Sequence, residues 1–299
     1  MDGGPGGLLR PALVAGGRVT AAHPAGRAPL RVAAAQVTAI PGDLAGNART
    51  AARSIAEAAD RGVHLVVFPE LSLCGYDVGL LRDDIARCAV EAGGDPLDIV
   101  AEACRTHRVV AVVGGCRRRA DGWAIGALVI GADGRPAAAY DKRHLDRDER
   151  ELFVPGRADC LVEVRGWRLG LGVCYDASFP EHARALALAG ADAYLCPSAF
   201  TTGDSDHRRG VYFPARALEN TCYVLFANFA GSHGNWEFAG RSAVYAPDGR
   251  VLADAGTGPG LAVADLDDAV LRRHRDALRM LTDRAAPAPP PAAVPVPAG

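Results

Sequence analysis

Residues 61–70 read RGVHLVVFPE, and residues 189–198 read AGADAYLCPS. Both stretches pass from a helix end through a glycine into a short apolar run, then stop at a proline and a polar residue. A short apolar run bounded by turn residues reads as a strand. Each run also follows an earlier strand pattern by one helix: RVAAAQV at 31–37 precedes the first and RLGLGVC at 168–174 the second. We read the echo as two similar α/β halves, each with its own sheet, packed into one domain; the alternative is that any two βα units look alike.

The same alternation runs along the rest of the chain. Helical patterns cover 43–61, 79–91, 96–107, a segment from 179 and one ending ARALEN, with strand patterns between them, which predicts an α/β protein. Residues 1–29 are rich in Gly, Ala and Pro, and APAPPPAAVPVPAG at 286–299 is low-complexity sequence. Both ends, 1–29 and 285–299, are expected to lack structure, leaving a domain over 30–284.

Of the 299 residues, 49% are hydrophobic; 33 Lys and Arg against 35 Asp and Glu give a net charge of -2. No basic window is interleaved with aromatics, so nucleic acid is not an expected partner. No apolar run is long enough to span a membrane, and the N-terminus lacks the basic-then-apolar order of a signal peptide. The eight cysteines have no paired metal-type spacing, and they read as reduced thiols of a cytoplasmic protein.

Cys174 ends the run LGLGV and precedes a helix start, with Ser178 expected as N-cap, Pro180 in the first turn and Glu181 closing a capping box. A thiol at a strand-to-helix elbow meets backbone N–H groups that favour a thiolate. The alternative is a small core residue. A nucleophile needs a base. His144 and His182 end no strand, and His182 reads as solvated. Glu70 does end a strand, where burial raises proton affinity; otherwise it is a loop acid. Lys142 closes another strand and can hold charge over an oxyanion, with Glu149 to fix it, or both belong to a hydrated charged loop.

Together FPELSLCGY (68–76), YDKRHL (140–145), ERELFVPG (149–156) and GVCYDASFPE (172–181), in that order and spacing, resemble the nitrilase superfamily of carbon–nitrogen hydrolases. The resemblance covers about residues 30–284. It implies a four-layer αββα sandwich, assembly into homodimers or larger homo-oligomers, and a Glu-Lys-Cys triad that uses no metal or organic cofactor. Position by position, it implies Glu70 as general base, Lys142 as oxyanion-stabilising cation, Cys174 as nucleophile and Glu149 as accessory carboxylate, with Glu151 the competitor for that last role. Tyr76, Tyr175, Ser198 and Phe200 are expected beside the substrate, Tyr175 also through its backbone N–H.

Cys-Tyr-Asp at 174–176 is similar to the aliphatic and ω-amino amide amidases rather than to nitrilases, which carry Trp-Glu there. The arginine typical of N-carbamoyl amino acid hydrolases is replaced by Ala177 and Ser178. The resemblance thus implies an amidase for short linear amides such as 5-aminopentanamide. A nitrilase, an N-carbamoyl hydrolase or a non-catalytic assembly subunit are the alternatives. Arg208 and Arg209 stand where a His-Trp pair is usual, and Pro214 falls inside a helical run, so a changed pocket wall is expected there.

Overall fold

The computed structural model describes residues 26–91 and 94–285. In the first half, β1 (Leu30–Gln36) leads through α1 (Leu44–Asp60) to β2 (Leu65–Val67); α2 (Val78–Asp84) and α3 (Asp95–His107) lead on to β3 (Val110–Arg119). A meander through β4 (Gly122–Ile130) and β5 (Pro136–Asp141) completes it. The second half runs β6 (Cys160–Val164), β7 (Trp167–Leu171), α4 (Pro180–Leu188), β8 (Ala193–Pro197), α5 (Asp204–Asn220) and β9 (Tyr223–Ala227). A hairpin of β10 (Ala230–His233) and β11 (Trp236–Ala239) follows, then β12 (Ala243–Tyr245), β13 (Val251–Asp254), β14 (Gly260–Leu266) and α6 (Asp268–Ala277).

The strands form two six-stranded sheets, β14-β1-β2-β3-β4-β5 and β6-β7-β8-β9-β12-β13. They correspond strand for strand. β1, β2 and β3 are parallel, as are β7, β8 and β9, and each trio is flanked by antiparallel neighbours. The two stretches of the opening echo are β2 and β8, the middle strand of each trio.

Successive residues of a strand face opposite sides, and here each side has its own partner. Val32, Ala34, Leu65 and Val67 pack between the sheets against Leu169, Leu171, Leu195 and Leu225. Their neighbours Ala33, Ala35, Val66 and Phe68 meet Ile55 and Ala58 of α1 and Val100 and Cys104 of α3. On the far side Tyr194, Cys196, Val224 and Phe226 meet Leu186 of α4 and Phe213 and Ala217 of α5. The result is the four-layer αββα sandwich. Helix α1 fits because Ala48, Ala51, Ile55 and Ala58 make one apolar stripe, and Asp43 caps its start by accepting the Gly46 N–H at 2.9 Å.

Of the segments expected to lack structure, residues 1–25 and 286–299 lie outside the described residues. Arg27 is packed: its guanidinium lies 4.4 Å over the Trp167 ring and pairs with Asp192 at 2.5 Å and Asp268 at 2.6 Å. Among the described residues no helix is long and apolar enough to cross a membrane.

Gly172, between β7 and Cys174, is a tight contact in the second half. A Cβ there would sit 2.0 Å from the Tyr194 hydroxyl oxygen. Tyr194 is fully buried, so Gly172→Ala is expected to cost about 1–3 kcal/mol of stability by overpacking, read as a lower melting temperature in thermal denaturation.

Candidate active site

Glu70 leaves the end of β2 in a turn that only a small neighbour permits: a Cβ on Gly114 of β3 would meet Leu71 N at 2.3 Å and Pro69 O at 2.4 Å. The Glu70 N–H donates to the Ser198 carbonyl at 3.2 Å, joining the turn to the end of β8 in the other sheet. Lys142 follows β5 directly. Its Nζ lies 2.7 Å from Glu70 Oε1 and 2.7 Å from Glu149 Oε1, all three side chains being buried. Glu149 also accepts from the Tyr76 hydroxyl at 3.0 Å and from the Asp146 N–H at 2.8 Å. Glu151, the competitor, pairs with Arg82 at the surface instead.

One lysine between two buried carboxylates cannot neutralise both. The imbalance falls on Glu70: burial raises its proton affinity most, Lys142 opposes, Glu149 adds to it, and its pKa stands at about 7. Burial would lower the Lys142 pKa, but Glu149 and Glu70 overcome it, hold the pKa well above the ordinary value and keep the ammonium charged. Glu70 Oε2 makes no hydrogen bond, although the Cys174 thiol is near enough to act on the carboxyl.

Cys174 begins a 3-10 turn, Cys174–Ser178, with φ of 45°, a left-handed conformation that is uncommon outside glycine. The strand-to-helix elbow is therefore real, but its details differ from expectation. Ser178 closes the 3-10 turn rather than capping a helix; α4 starts at Pro180, with Phe179 at the cap position and no side-chain cap bond. The reason is Asp176, whose carboxylate accepts the Val173 N–H at 2.9 Å and winds the chain before α4 begins.

The thiolate expected at the elbow is also corrected. Burial first, then Glu70, pushes the Cys174 pKa well above its ordinary value, with Lys142 opposing. The resting group is a thiol, although Cys174 lines a cavity. Cys174 is half-buried, whereas the other seven cysteines are buried. Brief iodoacetamide treatment followed by peptide mapping is expected to label it ahead of the rest; preferential label on Cys74 or Cys116 would contradict that.

The cavity has a volume of about 410 Å³ and is lined by Tyr76, Lys142, Asp146, Glu149, Cys174, Tyr175, Ser178, Phe179, Ala199, Phe200, Ser205, Arg208 and Tyr212. Tyr76, Tyr175 and Phe200 are among these lining residues. Ser198, one residue past β8, is not among the lining residues: it is fully buried, and its hydroxyl turns back to the Cys196 carbonyl at 3.1 Å. Arg208 lines the wall, while Arg209 is held by Asp206 at 2.7 Å and Tyr245 at 3.3 Å. Pro214 lies inside α5. Neither histidine lines the cavity. His182, expected in solvent, is buried against Tyr140 at 2.8 Å, and His144 Nδ1 lies 2.7 Å from Asp176. Sequence reading passed over Tyr212, over Phe179, which stacks on His144, and over Asp176, which meets Tyr140 and His144 more than 30 residues away.

The carbon-nitrogen hydrolase family model matches residues 31–276. A hydrolase encoded in the pqqF 5' region of Pseudomonas protegens is 36% identical, over 85% of this chain and 89% of its own. An (R)-stereoselective amidase of Pseudomonas sp. is 32% identical over 85% of this chain and 91% of its own. Among solved structures, an amidase from Nesterenkonia sp. AN1, a mutant in complex with butyramide, superposes with a TM-score of 0.74 at 30% identity, covering 86% of this chain and 98% of that one. The chain belongs to the carbon-nitrogen hydrolase family. Within it, the protein is an amidase-type enzyme of the nitrilase superfamily that acts on carbon–nitrogen bonds.

Proposed function

We propose that the protein hydrolyses short linear amides to carboxylic acids and ammonia through a Cys174 thioester. The observation that carries this reading is the Lys142 ammonium 2.7 Å from each of two buried glutamates, with the free oxygen of Glu70 beside the one cysteine that opens into the cavity. Glu70 takes the thiol proton as sulfur attacks the amide carbon. Lys142 stabilises the oxyanion together with the Tyr175 N–H, which lies in the first turn of the 3-10 segment where no intrahelical acceptor exists. Collapse expels ammonia, which takes the proton from Glu70. Glu70 then deprotonates water, the hydroxide adds to the thioester carbonyl, and collapse returns the proton to Cys174.

The cavity supports a short chain and a neutral or anionic tail. A volume of about 410 Å³ suits a small molecule, and the Nesterenkonia amidase is described with butyramide and with acrylamide. Arg208 lines the wall with no hydrogen bond or ion pair among the described residues. That cation favours an amide with a neutral or anionic tail over the ammonium tail of an ω-amino amide. We propose a homodimer or larger homo-oligomer with it; exposed Val211 and Leu218 on α5 are a surface such an assembly would cover.

Ammonia release from linear amides, ω-amino amides, ω-carboxy amides, nitriles and N-carbamoyl amino acids tests the reading. Linear amides are expected to lead. Arg208→Ala is expected to shift the ratio of ω-carboxy to ω-amino amide turnover toward the amine by about tenfold, roughly 1.4 kcal/mol. Nitriles or N-carbamoyl compounds as the best substrates, or no ammonia from any of them, would replace the proposal.

A further inference from the structure

We propose that Asp176 is a positioning residue: its buried carboxylate ties the segment carrying Lys142 to the elbow carrying Cys174 and so sets how the ammonium faces the sulfur. The proposal rests on the reading of Cys174 and Lys142 given above.

Both oxygens of Asp176 are in use. Oδ2 accepts the Val173 N–H at 2.9 Å and the Tyr140 hydroxyl at 2.7 Å. Oδ1 accepts the His144 backbone N–H at 2.9 Å and faces His144 Nδ1 at 2.7 Å. Val173 is the residue before Cys174, while Tyr140 and His144 stand two residues to either side of Lys142. One carboxylate therefore spans from the end of β7 in one sheet to the end of β5 in the other. Along the sequence these partners are more than 30 residues from it on the Lys142 side.

Burial alone would put a proton on this acid, but the bonds from His144, Tyr140 and Val173 and the nearby His182 outweigh it, and the group stays ionised. An ionised carboxylate only accepts, so Tyr140 must donate to it. The Tyr140 oxygen then accepts from His182 Nε2 at 2.8 Å, and His182 Nδ1 accepts the Tyr194 hydroxyl at 3.2 Å. Burial keeps His182 neutral, consistent with a single ring proton on Nε2. Every donor in this buried chain points toward Asp176, and Tyr194 at its far end is the group packed against Gly172. Asparagine at 176 would turn an NH2 toward one pair of donors and break half of the clamp.

The oxyanion must form within reach of both the sulfur and Nζ, and a displacement of about 1 Å there costs about 100-fold in rate. Alkylation by iodoacetamide develops no oxyanion, so it depends on Lys142 only through the positive charge that eases ionisation of the thiol, and far less on where Nζ points. The two reactions of Cys174 therefore separate alignment of Lys142 from general damage to the elbow. Asp176→Asn is expected to lower kcat for the best amide about 100-fold while KM and the alkylation rate of Cys174 stay within about threefold. Tyr140→Phe, which removes one bond and no charge, is expected to do the same at about tenfold. If Asp176→Asn does not fold, Tyr140→Phe decides by the same ratio. Turnover and alkylation falling by equal factors, or unchanged turnover, would remove the clamp. Wild-type enzyme that still turns over after complete alkylation of Cys174 would instead remove the active-site reading and the proposal with it.

Discussion

Cys174→Ala is expected to reduce amide turnover by about five orders of magnitude, because the sulfur is the atom that would carry the acyl group and nothing else at the cavity floor can replace it. The fold is expected to persist. The substitution deletes one partly exposed atom, keeps the Cβ, and leaves the Asp176 bond to Val173 that shapes the elbow. Ammonia release from the best amide, set beside circular dichroism and thermal denaturation of the same preparation, makes the measurement. A purified variant retaining more than a few per cent of wild-type turnover, a threshold far above the expected residue of activity, would take Cys174 out of the mechanism.

Glu70→Gln is expected to lower turnover by about 1,000-fold or more, since one base serves both half-reactions. Glutamine keeps the shape and an oxygen for Lys142 but cannot take a proton. The wild-type pH profile carries a linked expectation. Burial raises the Glu70 pKa to about 7, so the group is protonated and idle below that value and ionised above it. The profile of kcat/KM should therefore rise with pH through a limb near 7, well above the ordinary carboxylate range. The Cys174 thiol, pushed up by burial, adds no break in that range. Near-wild-type rates for Glu70→Gln, or a limb at ordinary carboxylate pH, would overturn Glu70 as the base.

Much of this site was legible before any coordinates. Glu70, Lys142 and Cys174 each end a strand pattern, and strand ends are local facts of residue type and period. The echo of 61–70 in 189–198 also held, because both stretches are the middle strand of matching parallel trios. Four inferences about surroundings failed. Ser178 looked like a cap, His182 looked solvated, Ser198 looked like a pocket residue and the thiol looked ionised. Two of the deciding neighbours are remote, Tyr140 lying 42 residues from His182 and Glu70 acting on the Cys174 thiol from the other sheet, whereas Ser178 and Ser198 are decided by Asp176 and Cys196 through turn geometry that residue type alone does not fix.

The sequence by itself determined the class of fold and the placing of candidate reactive groups at strand ends, while the choice of thiol, lysine and carboxylate over a histidine base rested on the resemblance of the motifs to the nitrilase superfamily. These depend on side-chain type and on spacings of a few residues. Only the tertiary structure decided which of Glu149 and Glu151 meets the lysine, which carboxylate shares its charge poorly enough to titrate near neutrality, and that Asp176 joins the two halves of the site. Proton affinity and hydrogen-bond partner are set by burial and by groups brought close across two sheets, and neither quantity exists until the sheets have packed.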